Sequence, residues 1–92
     1  MSSGDEMRFA PAEAMSWTDA GGDLLIFDQV RGTYHSLNAA GSAVWRAMGE
    51  GASQAEIIER LVARFDAERE QIAPDAMDFL EKGVASGLIV AK

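Results

Sequence analysis

Between Asp23 and Trp45 the chain reads DLLIFDQVRGTYHSLNAAGSAVW, and this stretch limits the fold more than any other. Leu24-Leu25-Ile26-Phe27 is a short apolar run between two aspartates. It is too short for a helix with those flanks and reads as a buried strand. Asp28 to Gly32 supplies turn chemistry, with Gly32 the natural residue for a positive φ. Thr33 to Leu37 is then the return strand, β-branched and aromatic at its start. Asn38 follows as an N-cap whose side-chain oxygen can accept from the free amides of a first helical turn. A helix over about 39–48 brings Val44, Trp45 and Met48 to one face. Its opening run of Ala39, Ala40, Gly41, Ser42 and Ala43 lets another backbone approach closely.

The flanks complete an α+β pattern. Residues 1–12 read as a flexible arm, because Pro11 does not belong in a central strand. Ala14 to Asp19 alternates enough to form a first strand, ended by Gly21-Gly22. Ser53 and Glu56 match a capping box, and Ile57, Ile58, Leu61, Val62 and Phe65 give the second helix a buried stripe. A third helix runs from about Glu70 to Ser86, with Ile72, Met77, Phe79, Leu80 and Val84 as candidates for burial. Pro74 fits a first helical turn, which moves the expected start towards Ala73. Gly87 is the expected residue after the helix end, and Leu88-Ile89-Val90 an apolar tail that packs back on the core. The expectation is one domain over 13–92: a three-stranded antiparallel sheet followed by three helices.

Charge excludes one class of partner. Eight basic residues stand against fifteen acidic ones, for a net charge of −7, and no segment is basic. A nucleic-acid binder needs a basic face, and the third helix offers Lys82, with Arg69 at its edge, against Glu70, Asp75, Asp78 and Glu81. A winged-helix DNA-binding regulator is therefore disfavoured. The chain has no cysteine, so disulfides and thiolate metal sites are excluded and a cytoplasmic location is expected. No apolar run is long enough to span a bilayer, and no membrane partner is expected.

Catalytic chemistry finds little support. His35 is the single histidine, and on a strand it points to the opposite face from Ser36, which argues against a dyad. The acids around Asp66, Glu68, Glu70 and Asp75 lack calcium-loop spacing, and the glycines do not form a phosphate loop with a lysine. The chain reads as a non-enzyme without metal or cofactor. Its short sheet has a different capacity. An unpaired strand edge presents N–H and C=O groups to another chain, and an extended peptide can add there. Met77, Leu80, Glu81 and Val84 of the third helix are candidates for the opposite wall of such a groove. The same edge permits strand exchange into a homodimer.

The order of these features resembles the PqqD-like family of precursor-peptide recognition elements. The resemblance covers roughly Asp23 to Val90 and rests on the strand ending in Asp28, then Gly32, Tyr34 and the pair Leu37-Asn38. The helix with Ala43-Val44-Trp45, the Glu56-Ile57-Ile58 helix, and Phe79-Leu80 closing in Gly87-Leu88-Ile89 complete it. The resemblance implies a winged helix-turn-helix-like fold that captures the leader of a ribosomally made precursor peptide for partner enzymes. It implies that the leader adds as a strand to Thr33, Tyr34, His35, Ser36 and Leu37. The facing wall it implies is drawn from Asp75, Ala76, Phe79, Leu80, Lys82 and Gly83. Acids on the third helix would favour a leader carrying Lys or Arg. The Asp28-to-Tyr34 hairpin looks more like stand-alone proteins of lasso-peptide clusters, whose partners are a leader-removing cysteine protease and a cyclase. The alternative is a peptide chaperone for a radical SAM enzyme of pyrroloquinoline quinone biosynthesis.

Overall fold

Alternation along the strand at Asp23–Asp28 sets the architecture. Leu24, Ile26 and Asp28 are buried on one face, while Leu25 and Phe27 are half-buried on the other. The computed structural model describes residues 7–92. Its elements are β1 (Phe9–Pro11), β2 (Met15–Ala20), β3 (Asp23–Asp28), β4 (Thr33–Ser36), α1 (Ala39–Gly49), α2 (Gln54–Phe65), α3 (Arg69–Ser86) and β5 (Ile89–Ala91). Strands β2, β3 and β4 form an antiparallel sheet in that order, so β4 is an edge. The three-stranded sheet and three helices expected from the sequence are both present, joined by a second sheet of two strands.

One face of the β2-β3-β4 sheet packs on the helices. Ile26, Val44, Trp45, Met48, Ile57, Leu80 and Ile89 are all at most 2% exposed and form the centre of the core. Trp17 on β2 meets Trp45 edge to face, with centroids 5.4 Å apart. Gly83 is small for a packing reason: a Cβ there would lie 2.3 Å from Ile89 Cδ1. Both helix starts follow their sequence signals. Asn38 Oδ1 accepts from the Gly41 amide at 2.8 Å. The Ser53 hydroxyl accepts from the Glu56 amide, while Glu56 accepts from the Ser53 amide. The Ser53 amide first, and then the Ser53 hydroxyl, hold the Glu56 carboxyl below its ordinary pKa.

Three expectations are corrected. The arm expected over residues 1–12 contains a strand: β1 pairs antiparallel with β5, Phe9 opposite Ala91 and Pro11 opposite Ile89. Burial of Phe9 at 7% exposure, with the Gln54 amide donating to Met7 O and the Lys92 amide to Arg8 O, fixes it there. Pro11 is tolerated because this is an edge and not a central strand. The expectation for residues 1–6 lies outside the described residues. Helix α3 starts at Arg69, so Pro74 sits inside it and not in its first turn. The bond that its missing N–H forgoes is offset by the packing of Ile72, Ala73 and Ala76 on the core. Finally, Met77 and Val84, expected to be buried, are 37% and 41% exposed.

Candidate functional site

The free edge of β4 can be read from its register. Ser36 lies opposite Leu25, so Leu37 lies opposite Leu24, and the Leu37 amide donates to Leu24 O at 2.9 Å. Antiparallel partners alternate between hydrogen-bonded and non-bonded pairs. Thr33, His35 and Leu37 therefore turn their amides and carbonyls towards β3. Tyr34 and Ser36 turn theirs outwards, leaving two donors and two acceptors for another chain. Tyr34 and Phe27, a non-bonded pair, bring their rings to 4.7 Å on the sheet face away from the helices. His35 shares the other face with Ile26, and its Nε2 lies 3.2 Å from Thr33 Oγ1.

Beyond this edge lies a groove whose second wall is α3. A small cavity of about 130 Å³ sits between Leu37 and the α3 residues Phe79, Lys82, Gly83 and Ser86, with Trp45 at its border. Trp45 Nε1 is buried there without a hydrogen-bond partner among the described residues. A larger cleft of about 410 Å³ lies between the start of α1 and the α3 residues from Ile72 to Lys82. Phe79 and Lys82 border both spaces, so the Phe79 ring divides one channel into two. That ring sits against Gly41, where a Cβ would be 3.1 Å from Phe79 Cε1. Asp75 and Asp78 give the cleft an acidic rim, and Lys82 pairs with Asp78 at 3.1 Å.

The residues named from sequence fall as follows. Thr33, Tyr34, His35 and Ser36 form the edge strand, with Leu37 at its end. Asp75, Ala76, Phe79 and Lys82 border the larger cleft, while Gly83 borders the smaller. Leu80 does not join them: it is 1% exposed and points to a separate cavity on the other side of α3. Met77, Glu81 and Val84 line that same cavity, with Met7 and Phe9. The wall expected from helical periodicity thus lines a different cavity from the one beside Leu37, because period alone does not say which stripe meets the sheet. Asn38, Gly41 and Ser86 were missed. The run of small residues opening α1 was the signal for Gly41.

At the turn end, Asp28 has no solvent exposure and is fully bonded. Its Oδ1 accepts from the Val30 and Arg31 amides at 3.0 and 3.1 Å, and its Oδ2 from Arg31 Nη1 at 2.8 Å. The Arg31 side chain first, and then its amide, hold the Asp28 carboxyl below its ordinary pKa against the opposing effect of burial. Among the described residues, no group of three or more His, Cys, Asp or Glu side chains is placed to hold a metal. Nor is any helix long and apolar enough to cross a membrane.

An edge strand beside a groove walled by a helix is a geometry to which an extended chain can add as a further strand. Residues 23–89 match the family described as coenzyme PQQ synthesis protein D (PqqD), and the chain belongs to that family. Two solved structures share its fold. One, TbiB1 in complex with the TbiA(beta) leader peptide, is 25% identical over 87% of this chain and 93% of that one, with a TM-score of 0.81. The other, lasso peptide synthetase B1 complexed with the leader peptide, is 19% identical over 92% and 98%, with a TM-score of 0.78. No curated protein matches the chain.

Proposed function

We propose that this protein is a non-catalytic module that binds the leader of a ribosomally made precursor peptide and presents it to the enzymes that process it. The observation that carries this reading is the outward-facing backbone of Tyr34 and Ser36 beside the α3 groove. Both structural neighbours above were solved with leader peptides bound. The leader adds to β4 as a fourth strand, and its side chains on one face enter the spaces either side of Phe79. The partners in this reading are a leader peptidase and a cyclase of a lasso-type pathway, acting in the cytoplasm. A second reading is delivery of a peptide to a radical SAM enzyme of quinone biosynthesis, and the family's description, which names coenzyme PQQ synthesis, favours that pathway. The two share the binding step and differ in the peptide.

The test is a fluorescence-anisotropy titration against leader peptides encoded near the gene, with Tyr34→Pro as the informative variant. Its missing amide is one that points outwards, so the ladder to β3 is retained. Wild type is expected to saturate, and the folded variant to bind about tenfold more weakly, the equivalent of one hydrogen bond. Equal binding by the variant would eliminate strand addition. No binding of any such leader by wild type would eliminate the function.

A further inference from the structure

The two walls of the groove belong to different parts of the fold. β4 is the edge of the three-stranded sheet, whereas α3 packs on α2 and on the β1-β5 pair. Helix α1, which packs on both β3 and α3, links the two walls through the core. At the hairpin end, Arg31 reaches across that gap. Its Nη2 and Nη1 lie 3.2 and 3.3 Å from the point a Cβ of Gly87 would occupy, so the guanidinium rests on the bare backbone at the end of α3. Gly87 is favoured there by its φ of 84°, and a Cβ at that position would press on the guanidinium. The C-terminal end of a helix carries partial negative charge, and α3 has no basic residue of its own in its last turn. The hairpin supplies that cation. Its other attachment is Asp28, a carboxylate wholly shielded from solvent and held by two turn amides besides Arg31.

We propose that Asp28, Arg31 and Gly87 form a clasp that fixes the distance from the β2-β3-β4 sheet to α3, and that Arg31 is thereby a positioning residue for peptide binding. Thr33, where β4 begins, lies two residues beyond Arg31, so moving the hairpin end of this edge away from α3 would break the Arg31–Gly87 contact. Holding both walls in the bound geometry before the peptide arrives lowers the ordering cost of binding. The binding half of this inference rests on the proposed function; the spacing half does not.

The absence of cysteine makes the spacing measurable. Ser16→Cys on β2 and Ala85→Cys on α3, both exposed and outside the groove, carry a nitroxide pair for pulsed electron paramagnetic resonance. In this background the free protein is expected to give one narrow distance distribution, which Arg31→Ala broadens or lengthens and Arg31→Lys partly restores. Without labels, Arg31→Ala is expected to lose about tenfold in leader affinity after correction for any unfolded fraction from urea titration. A distribution unchanged by Arg31→Ala would overturn the clasp. Wild-type affinity in a variant with a broadened distribution would overturn the positioning role. A broadened distribution in a protein that binds no leader at all would support the clasp and reject the leader-binding function, which keeps the two failures apart.

Discussion

Ser42 carries more of this fold than its size suggests. It sits inside α1 with no solvent exposure, and its hydroxyl accepts from the Leu24 amide at 2.9 Å while donating to Leu37 O at 3.3 Å. One side chain thus ties the start of β3 and the end of β4 to the helix. Ser42→Ala keeps the shape, improves helix propensity and strands the Leu24 N–H in the core. The stranded donor outweighs the propensity gain, and a loss of about 1–3 kcal/mol is expected. The urea midpoint should fall with an unchanged slope, whereas an unmoved midpoint would mean that another acceptor takes the Leu24 amide. At this scale the sequence is only half legible. The small residues of α1 announce a close approach, but nothing in the string says that Ser42 is chosen for its hydroxyl. Asp28 and Arg31 read as turn residues, and their tie to Gly87 joins positions that local pattern cannot connect.

Single elements were legible where a local signal sufficed. Alternation, Gly32 and the Asn38 cap specify the hairpin and α1, and the Ser53–Glu56 box specifies the start of α2. The failures share one cause, which is that tertiary packing overrode a local rule. Pro74 lies within α3 because the turn before it packs the half-buried Ile72 and Ala73 on the core, and Pro11 lies in a strand because that strand is an edge. The β1-β5 pair joins the two ends of the described chain, a contact of the kind that sequence pattern does not reveal. This pair also carries the buried Ile89 into the core and is tied to α2 through the Gln54 amide, which donates to Met7 O just before β1. Phe9 is its anchor, and Phe9→Ala should cost about 3 kcal/mol by leaving a cavity beneath the strand. The comparison is a urea titration of the two proteins. If they unfold together, β1 contributes nothing to stability and the arm is an accessory.

For the whole molecule, the net charge of −7 acts at longer range than any groove contact. Part of it lies where a peptide would arrive, since Asp75 and Asp78 rim the cleft. Lys82, which pairs with Asp78, offsets only one of these two charges and leaves the rim net negative. A uniformly negative field raises the encounter rate of a cationic chain and lowers that of an anionic one, and salt removes both effects. Two leaders of equal length that differ only by Lys-to-Glu replacement outside the pairing segment should therefore differ mainly in association rate. In stopped-flow fluorescence at low salt the cationic leader is expected to associate about tenfold faster, with similar dissociation rates. The difference should close as ionic strength shortens the Debye length to a few ångströms. Asp78→Lys tests where the effect originates. A rim contribution predicts that this one change removes a large share of the difference. A difference left intact would assign steering to the dispersed surface charge and leave the cleft to act through shape alone.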